Sequence, residues 1–306
     1  MKFDFYADLA SANACPTTGP LPAGLASGFV DGCTVFATRG ADHKNSARDC
    51  YSKRAQADEL RLPRELNLDA NSPQPLKNNW VALRIGFTLC APWYSKDDRS
   101  FHVLDNPVRK DRVFAAPYMS AASWKGLLRW ACRMQEGLPE HLPKHLERTG
   151  GRFDGWNDPD WVTHLFGNDK EQGEFQRAAL AFRPTWFSKI GFEVINPHSR
   201  KTRAGTQPIT YEVVPVGTPG TLDLLYAPLP DSPMSANIDR ADVLQKLLDS
   251  AEQLLTVYGF SAKRTSGWGI AKITSCELVT RTTNKNTKTV ADMKTAIGTL
   301  FQPEYR

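Results

Sequence analysis

The sequence lacks the features of membrane-spanning and secreted proteins. No apolar run approaches the roughly 18 residues that a membrane-spanning helix needs, and the mean hydropathy is −0.43. Near the start, Asp4 and Asp8 stand where a signal peptide would have its apolar stretch. We therefore expect a cytoplasmic protein that has neither a secretion signal nor a membrane partner.

Cysteine is scarce, and neither sign of charge is in large excess. The 6 cysteines are scattered through 306 residues without a CxxC pair, which disfavours a disulfide framework and favours reduced thiols. The 38 basic and 33 acidic residues leave a net charge of +5, and the isoelectric point is about 8.8. This mild excess permits a nucleic-acid partner without requiring one, because the placement of the charges decides.

Apolar residues make up 41% of the chain, which is enough for a buried core. Residues 1–78 are rich in proline and glycine and predict an irregular extension with a hairpin or two, whose role the sequence does not indicate. It ends at Asn71–Pro75, because two prolines two residues apart block both a helix and a central strand. Residues 79–306 are predicted to form the folded core.

The core shows helix and strand periodicities. Apolar residues alternate from Val81 to Leu89, as in a half-buried strand. A helix is predicted over 121–135, and a second over 241–258 before Gly259. Further segments are predicted as strands at 177–187, 191–195, 209–216, 221–227 and 270–279, as a short helix at 161–166 ended by Gly167, as a variable region at 137–160, and as a terminal helix at 290–301. This order predicts an α+β fold of the ferredoxin-like (RRM-like) kind with insertions.

Four segments hold most of the residues with binding or catalytic chemistry. They are 105–129, 165–179, 200–218 and 259–269. Ser120 precedes the first helix, whose free N–H groups and positive dipole end can hold a phosphate. Glycines at 259, 267 and 269 would let the backbone approach a phosphate chain closely.

Basic residues gather in the same segments. They are Arg109, Lys110 and Arg112 before the first helix, Lys125, Arg129 and Arg133 along it, Arg200, Lys201 and Arg203 in a polar loop, and Lys263 and Arg264 in the Gly-rich loop. Taken alone, each cluster also fits a solvated surface. Together they predict a surface that binds the backbone of a nucleic acid. The candidate set also includes Ser120, Ser123, His198, Gly267 and Trp268, the last as a platform on which a base can stack.

In these four segments the sequence closely resembles the RAMP superfamily of CRISPR-associated proteins. It is most similar to the backbone subunit of type III (Csm/Cmr) effector complexes, over about residues 79–280. The resemblance implies a subunit that holds guide RNA beside copies of itself and other effector subunits and cleaves the complementary target RNA. It also implies that the loop near 198–209 is a thumb-like hairpin that distorts the guide–target duplex.

Asp105 is the candidate catalytic residue. The resemblance implies that this carboxylate cuts target RNA with the help of a divalent metal, for which Mg²⁺ is expected, and leaves a 2′,3′-cyclic phosphate. RNA supplies its own nucleophile, the 2′-hydroxyl, so cleavage needs in-line geometry, deprotonation and relief of phosphate charge. On its own, Asp105-Asn106-Pro107 is also a favourable turn. His102 is a second candidate base, and Asp111 has the position of a structural or capping residue.

Three alternatives stay open at the level of sequence. The chain is a non-catalytic subunit that caps the end of the assembly, which the long N-terminal extension favours. It is an endoribonuclease that processes guide precursors, although no histidine-centred site supports that role. In the extension, Cys15, Cys33, His43 and Cys50 have zinc-ligand chemistry, but their spacing is irregular.

Overall fold

The computed structural model describes most of the chain from Cys33 onward. The described residues are 33–34, 36–38, 40–57, 75, 77–98, 102–111, 114–145, 155–168, 175–197, 201, 205, 207–229 and 238–301. The predictions for Cys15, Arg112, His198, Arg200 and Arg203 lie outside these residues. Within them, no helix has the length and apolarity to span a membrane.

The helices and strands follow the predicted order. In chain order they are α1 (Ala41–Ala57), β1 (Val81–Leu89), β2 (Tyr118–Met119), α2 (Ala121–Gln135), α3 (Leu138–His145), α4 (Asp160–Phe166), β3 (Leu180–Phe182), β4 (Thr185–Trp186), β5 (Gly191–Ile195), β6 (Ile209–Val213), β7 (Pro219–Tyr226), α5 (Arg240–Gln253), β8 (Ala271–Val279), β9 (Asn284–Thr287) and α6 (Val290–Leu300).

The main sheet has the strand order β3-β7-β1-β8-β9, and every neighbouring pair is antiparallel. The path β1–α2–β3–β7–α5–β8 with this strand order is the ferredoxin-like arrangement, to which β9 adds an edge strand. The predicted fold class is therefore confirmed. Two small sheets, β2-β4 and β5-β6, extend from this core.

The core lies between the sheet and its two main helices. Leu83, Ile85 and Phe87 alternate along β1 and are each 1% exposed, and they share one buried cluster with α2 and α5. α5 continues through a π-helical turn, Leu254–Tyr258, to Gly259. Gly259 has a φ of +74°, and a Cβ there would lie 2.7 Å from the Trp268 carbonyl oxygen. Glycine is required at this position because the Gly-rich loop folds directly against it.

Several elements differ from the sequence prediction, which includes neither β2 nor β9. Residues 41–57 form α1, where an irregular extension was predicted. α3 lies in the predicted variable region, and the predicted strand over 177–187 is two short strands separated by Arg183 and Pro184. α1 packs against the core through Ala47, Tyr51 and Ala55, which share a buried cluster with residues of the 103–116 segment and with Ile190.

Candidate nucleic-acid interface

A cleft of about 380 Å³ opens at the N-terminal end of α2. It brings together four residues that the sequence predicted for RNA binding, namely Arg109, Ser120, Ser123 and Arg264. These residues come from the segment before α2, from the start of α2 and from the Gly-rich loop. The Gly-rich loop is held in place because the Ala262 N–H donates to the Tyr94 carbonyl at 2.8 Å and the Trp93 indole donates to the Phe260 carbonyl at 3.0 Å.

The start of α2 is suited to an anion. Ser120 is the N-cap, and its hydroxyl accepts a hydrogen bond of 3.1 Å from the Ser123 N–H. The two serine hydroxyls lie 2.9 Å apart. The first turn carries no acidic residue, so no side chain of that turn neutralises the positive end of the helix dipole. Hydroxyl and backbone donors at such a helix end can bind a phosphate.

Arg264 supplies a cation at the other wall of the cleft. Its guanidinium carbon lies 4.5 Å from the centroid of the Trp130 ring, which is within the range of a cation–π contact. Burial lowers the pKa of the guanidinium, yet an arginine side chain remains charged at neutral pH. Its Nη1 is buried and forms no hydrogen bond with any residue that the structure describes. The side chain also lines the cleft, where its charge favours a phosphate.

Arg109 is held at the cleft through its backbone, while its side chain pairs at the surface. The N–H donates to the Ser95 carbonyl at 2.7 Å, and the carbonyl accepts from the Tyr118 N–H at 3.2 Å. The guanidinium pairs with Asp98 at 3.1 Å, and the two side chains are 30% and 79% exposed. A single contact between exposed side chains contributes little free energy, so a phosphate can replace Asp98 at small cost.

Asp105 lies on an exposed turn beside β6, with 74% of its side chain accessible. The next residue fixes the turn, because the Asn106 carbonyl accepts from the Glu212 N–H at 3.0 Å. The Arg48 Nη2 donates to both Asp105 carboxylate oxygens, at 2.8 and 2.7 Å. No local pattern in the sequence points to Arg48, since the two residues are separated by 57 positions.

Lys110 was predicted to bind RNA, but the structure places it in the interior. Its side chain and that of Glu212 are both 0% exposed and form an ion pair. Glu212 also accepts hydrogen bonds from the Tyr51 hydroxyl and from the Val108 N–H. Lys110 is therefore a structural residue that joins the 105–117 segment to β6, and it is not available to RNA.

The predicted basic stripe along α2 is interrupted by Asp158. This carboxylate, 6% exposed, lies 2.7 Å from the Arg129 guanidinium and 2.6 Å from that of Arg133. Burial raises the pKa of Asp158, but hydrogen bonds from Arg133, Trp156 and Arg129 outweigh this effect and hold the pKa below its usual range. Arg129 therefore has a structural partner and is not a free RNA-binding cation.

The remaining basic residue of the stripe is Lys125. It is half-buried and forms no hydrogen bond or ion pair with any part of the chain that the structure describes. It lies one turn into α2, adjacent in sequence to Gly126, which lines the cleft. Lys125 is the member of the predicted stripe that can add charge near the cleft.

The Gly-rich loop holds its other candidates against an aromatic cluster. Trp268 is half-buried and meets Tyr94 and Tyr211 edge-on, at centroid distances of 6.4 and 5.8 Å. The Lys263 ammonium lies 4.6 Å from the centroid of Tyr211. Gly267 is exposed in the left-handed region, with φ +76°. Trp268 thus has a packing role in the fold, and stacking on a base stays a prediction.

The loop predicted to be thumb-like, near 198–209, lies between β5 and β6, which form an antiparallel hairpin. β5 and β6 pair in register from Gly191 opposite Val213 to Ile195 opposite Ile209. Lys201, in the loop between these strands, is exposed. Because Asn106 contacts β6, the base of this hairpin adjoins the Asp105 turn.

Candidate metal ligands are not gathered among the described residues. No group of three His, Cys, Asp or Glu side chains there has the arrangement of a metal site, and this includes Cys33, His43 and Cys50. His43 instead meets the Phe36 ring edge-on at 5.0 Å. The Asp105 carboxylate has Arg48 as its neighbour, so this part of the chain does not fit a Mg²⁺ site built from protein ligands alone.

The fold and the cleft define a class: a ferredoxin-like α+β protein whose helix N-terminus and Gly-rich loop form a cationic cleft. A sequence model of the RAMP superfamily matches residues 39–272. The chain therefore belongs to the RAMP superfamily. The matched region begins within the segment predicted as an extension and includes α1.

Comparisons with individual solved structures find similarity at low sequence identity. No curated protein matches the chain in sequence. Among solved structures, a chain of the type III-B Cmr-beta complex bound to cognate target RNA has a TM-score of 0.49 and 13% identity, covering 80% of this chain and 78% of that chain. A chain of the Csm3–Csm4 subcomplex of a type III-A CRISPR-Cas interference complex has a TM-score of 0.43 and 14% identity, covering 73% and 97%.

Proposed function

We propose that this protein is an RNA-binding subunit of a type III CRISPR effector complex that holds guide RNA and cleaves the paired target RNA. The observation that carries the RNA-binding part is the cleft. It gathers Arg109, Ser120 and Arg264 from separate segments around a helix N-terminus that has no acidic residue in its first turn. Such a site suits a phosphate backbone, as expected for a subunit that accepts any guide sequence.

Asp105 is proposed to cleave the target. The 2′-oxygen of the RNA attacks the adjacent phosphorus while its proton passes to the Asp105 carboxylate. The bond from phosphorus to the 5′-oxygen then breaks, and the leaving oxygen takes up a proton. The products are a 2′,3′-cyclic phosphate and a 5′-hydroxyl end. The exposure of Asp105 beside the β5–β6 hairpin supports this proposal, because a catalytic carboxylate must reach the strand it cuts.

A Mg²⁺ requirement belongs to the same proposal, with RNA phosphates supplying ligands that the described residues do not. Mg²⁺ commonly binds through one or two carboxylates together with substrate phosphates and water. Cleavage assays with Mg²⁺, with Ca²⁺ and with EDTA test the requirement, and full activity in EDTA would remove it.

The test of catalysis uses the complex reconstituted with a guide and a complementary RNA labelled at its 5′ end. Asp105→Ala is expected to lower the single-turnover cleavage rate at least a hundredfold without changing target affinity, because the carboxylate acts on the reacting hydroxyl. Asp49→Ala removes another exposed carboxylate, on α1, and serves as the control. If the Asp105→Ala complex cuts at the wild-type rate, the catalytic assignment is wrong.

A capping subunit is the second candidate. The observation that favours it is α1, an added helix that packs on the core beside the Asp105 turn, because an added element can block the stacking of further copies on one side. Native mass spectrometry of the complex separates the two: several copies support the backbone role, and one copy supports the cap.

A further inference from the structure

We infer that Arg48, on helix α1, is a positioning residue for Asp105, so that this helix forms part of the cleavage site. The inference rests on the proposed function, because it assigns Arg48 a role through the carboxylate proposed to cut RNA. It also gives a role to α1, which lies in the extension whose role the sequence does not indicate.

The first observation is the contact itself. The Arg48 Nη2 reaches both oxygens of Asp105, at 2.8 and 2.7 Å, and its Nε donates to the Val103 carbonyl at 3.1 Å. The guanidinium therefore holds the carboxylate and the backbone two residues before it. Because guanidinium donors are fixed in one plane, these contacts define the orientation of the carboxylate and not only its distance.

The second observation is that α1 holds the segment on both sides of Asp105. Three residues after Arg48, and thus on the same helix face, the Tyr51 hydroxyl donates to Glu212. Glu212 accepts from the Val108 N–H at 2.9 Å. One helix face therefore fixes Val103 and Asp105 directly, and Val108 through one intermediate residue.

The third observation is that α1 is anchored. Tyr51 and Ala55 are 0% exposed within the buried cluster that joins α1 to Val103, Ala115 and Ile190. Arg48, at 28% exposure, stands at the edge of this cluster. A guanidinium on an anchored helix loses less rotamer freedom on holding a partner than one on a mobile segment.

Arg48 orients the Asp105 carboxylate and does not shield it from substrate. Asp105 keeps 74% of its side chain exposed while Arg48 is bound. A single nitrogen serves both oxygens, so the carboxylate retains acceptor positions for an incoming hydroxyl. An exposed aspartate without such a partner would sample several rotamers, and misplacing a catalytic group by about 1 Å can cost about a hundredfold in rate.

The experiment measures single-turnover cleavage and target affinity separately in the reconstituted complex. Arg48→Ala is expected to lower the rate about ten- to a hundredfold and leave the dissociation constant for target RNA within twofold. Arg48→Lys keeps the charge and one donor, and it is expected to recover part of the rate. Lys53→Ala removes an exposed charge from the same helix and is expected to cut at the wild-type rate.

Thermal unfolding and assembly of each variant identify loss of fold, and the Arg48→Lys variant keeps the inference testable if Arg48→Ala does not assemble. In the double variant Arg48→Ala/Asp105→Ala, the rate should equal that of Asp105→Ala alone, because Arg48 acts through Asp105. A wild-type or faster rate for Arg48→Ala, with Asp105→Ala inactive, overturns the inference and leaves the proposed function intact. A wild-type rate for Asp105→Ala overturns the proposed function itself.

Discussion

Polar and basic side chains gather at both ends of α2, but their surroundings differ. At the N-terminal end, Ser120 and Ser123 face a cleft that also holds Arg109 and Arg264, and the first turn carries no carboxylate. Toward the C-terminal end, Arg129 and Arg133 share the nearly buried Asp158. One end has donors available to a ligand, whereas the other has its charges neutralised within the fold.

This difference shows that a run of basic residues identifies a binding surface only when its long-range partners are known. Arg129 and Arg133 follow Lys125 at helical spacing, which made the three equivalent in the sequence. Asp158 lies 29 and 25 positions away from the two arginines and reaches them only because the chain returns to α2. Substitutions at four positions test the comparison, from the largest expected effect to the smallest.

Replacing Asp158 tests the neutralised end. Asp158→Ala is expected to lower the free energy of unfolding by about 2–4 kcal/mol, because two half-buried guanidinium groups lose their common partner. Urea unfolding of the purified chain at pH 7 measures this. A loss of less than about 0.5 kcal/mol, the size typical of surface substitutions, would mean that this end of α2 is as open as the other.

The same carboxylate predicts a dependence on pH. Since the pKa of Asp158 is lowered in the folded state, its stabilising contribution is present above the pKa of the unfolded chain and is lost as the pH falls through the lower, folded value. Wild type should lose this part of its stability below about pH 4, and Asp158→Asn should not. Parallel unfolding curves for the two proteins in acid would contradict the prediction.

Replacing Arg264 tests the open end. Arg264→Ala is expected to weaken binding of single-stranded RNA about tenfold and to reduce the slope of log affinity against log salt by about 1, as for loss of one phosphate contact. Fluorescence anisotropy across a salt series measures both quantities. Arg129→Ala is the matched control, and an equal loss of slope in that variant would erase the distinction between the two ends.

Ser120 separates capping from ligand binding at the open end. Ser120→Ala should cost about 1 kcal/mol of stability, because the helix loses its cap. Ser120→Asp keeps a capping acceptor and suits the helix dipole, so stability should be retained while RNA affinity falls several-fold by repulsion of phosphate. If Ser120→Asp binds RNA as tightly as wild type, no phosphate approaches this helix end.

Lys125 should show the smallest effect. Lys125→Ala is expected to weaken RNA binding about two- to threefold at low salt, and the difference should vanish at about 0.5 M salt, because a partly exposed charge is screened. The anisotropy series used for Arg264 contains this measurement. A loss that persists at high salt would indicate a direct contact.

Local features of the sequence account for the elements that were predicted. The alternation in β1, the helical stripe of α2 and Ser120 before it all act within a few residues, so periodicity and capping identify them. α1 was missed because few of its residues are apolar. Its buried face consists of Ala47, Tyr51 and Ala55, and this stripe is too small to stand out in a polar stretch.

The site was predicted only as far as single residues allow. The sequence selected Arg109, Ser120, Ser123 and Arg264 separately, and the fold brings them to one cleft. It also selected Lys110 and Arg129, whose carboxylate partners lie 102 and 29 positions away. Ion pairs formed across such separations depend on the finished topology, so composition and spacing do not reveal which charges remain available.

The contact between Arg264 and Trp130 links RNA binding to the packing of the core. Trp130 meets the Tyr258 ring edge-on at 5.0 Å, and Tyr258 ends the π-helical turn after α5. The position of the Arg264 guanidinium therefore depends on the packing of α2 against the end of α5. An arginine ordered in this way before its ligand arrives gives up less side-chain entropy on meeting a phosphate. Affinity for RNA should then fall when this helix packing is disturbed, although neither Trp130 nor Tyr258 lines the cleft.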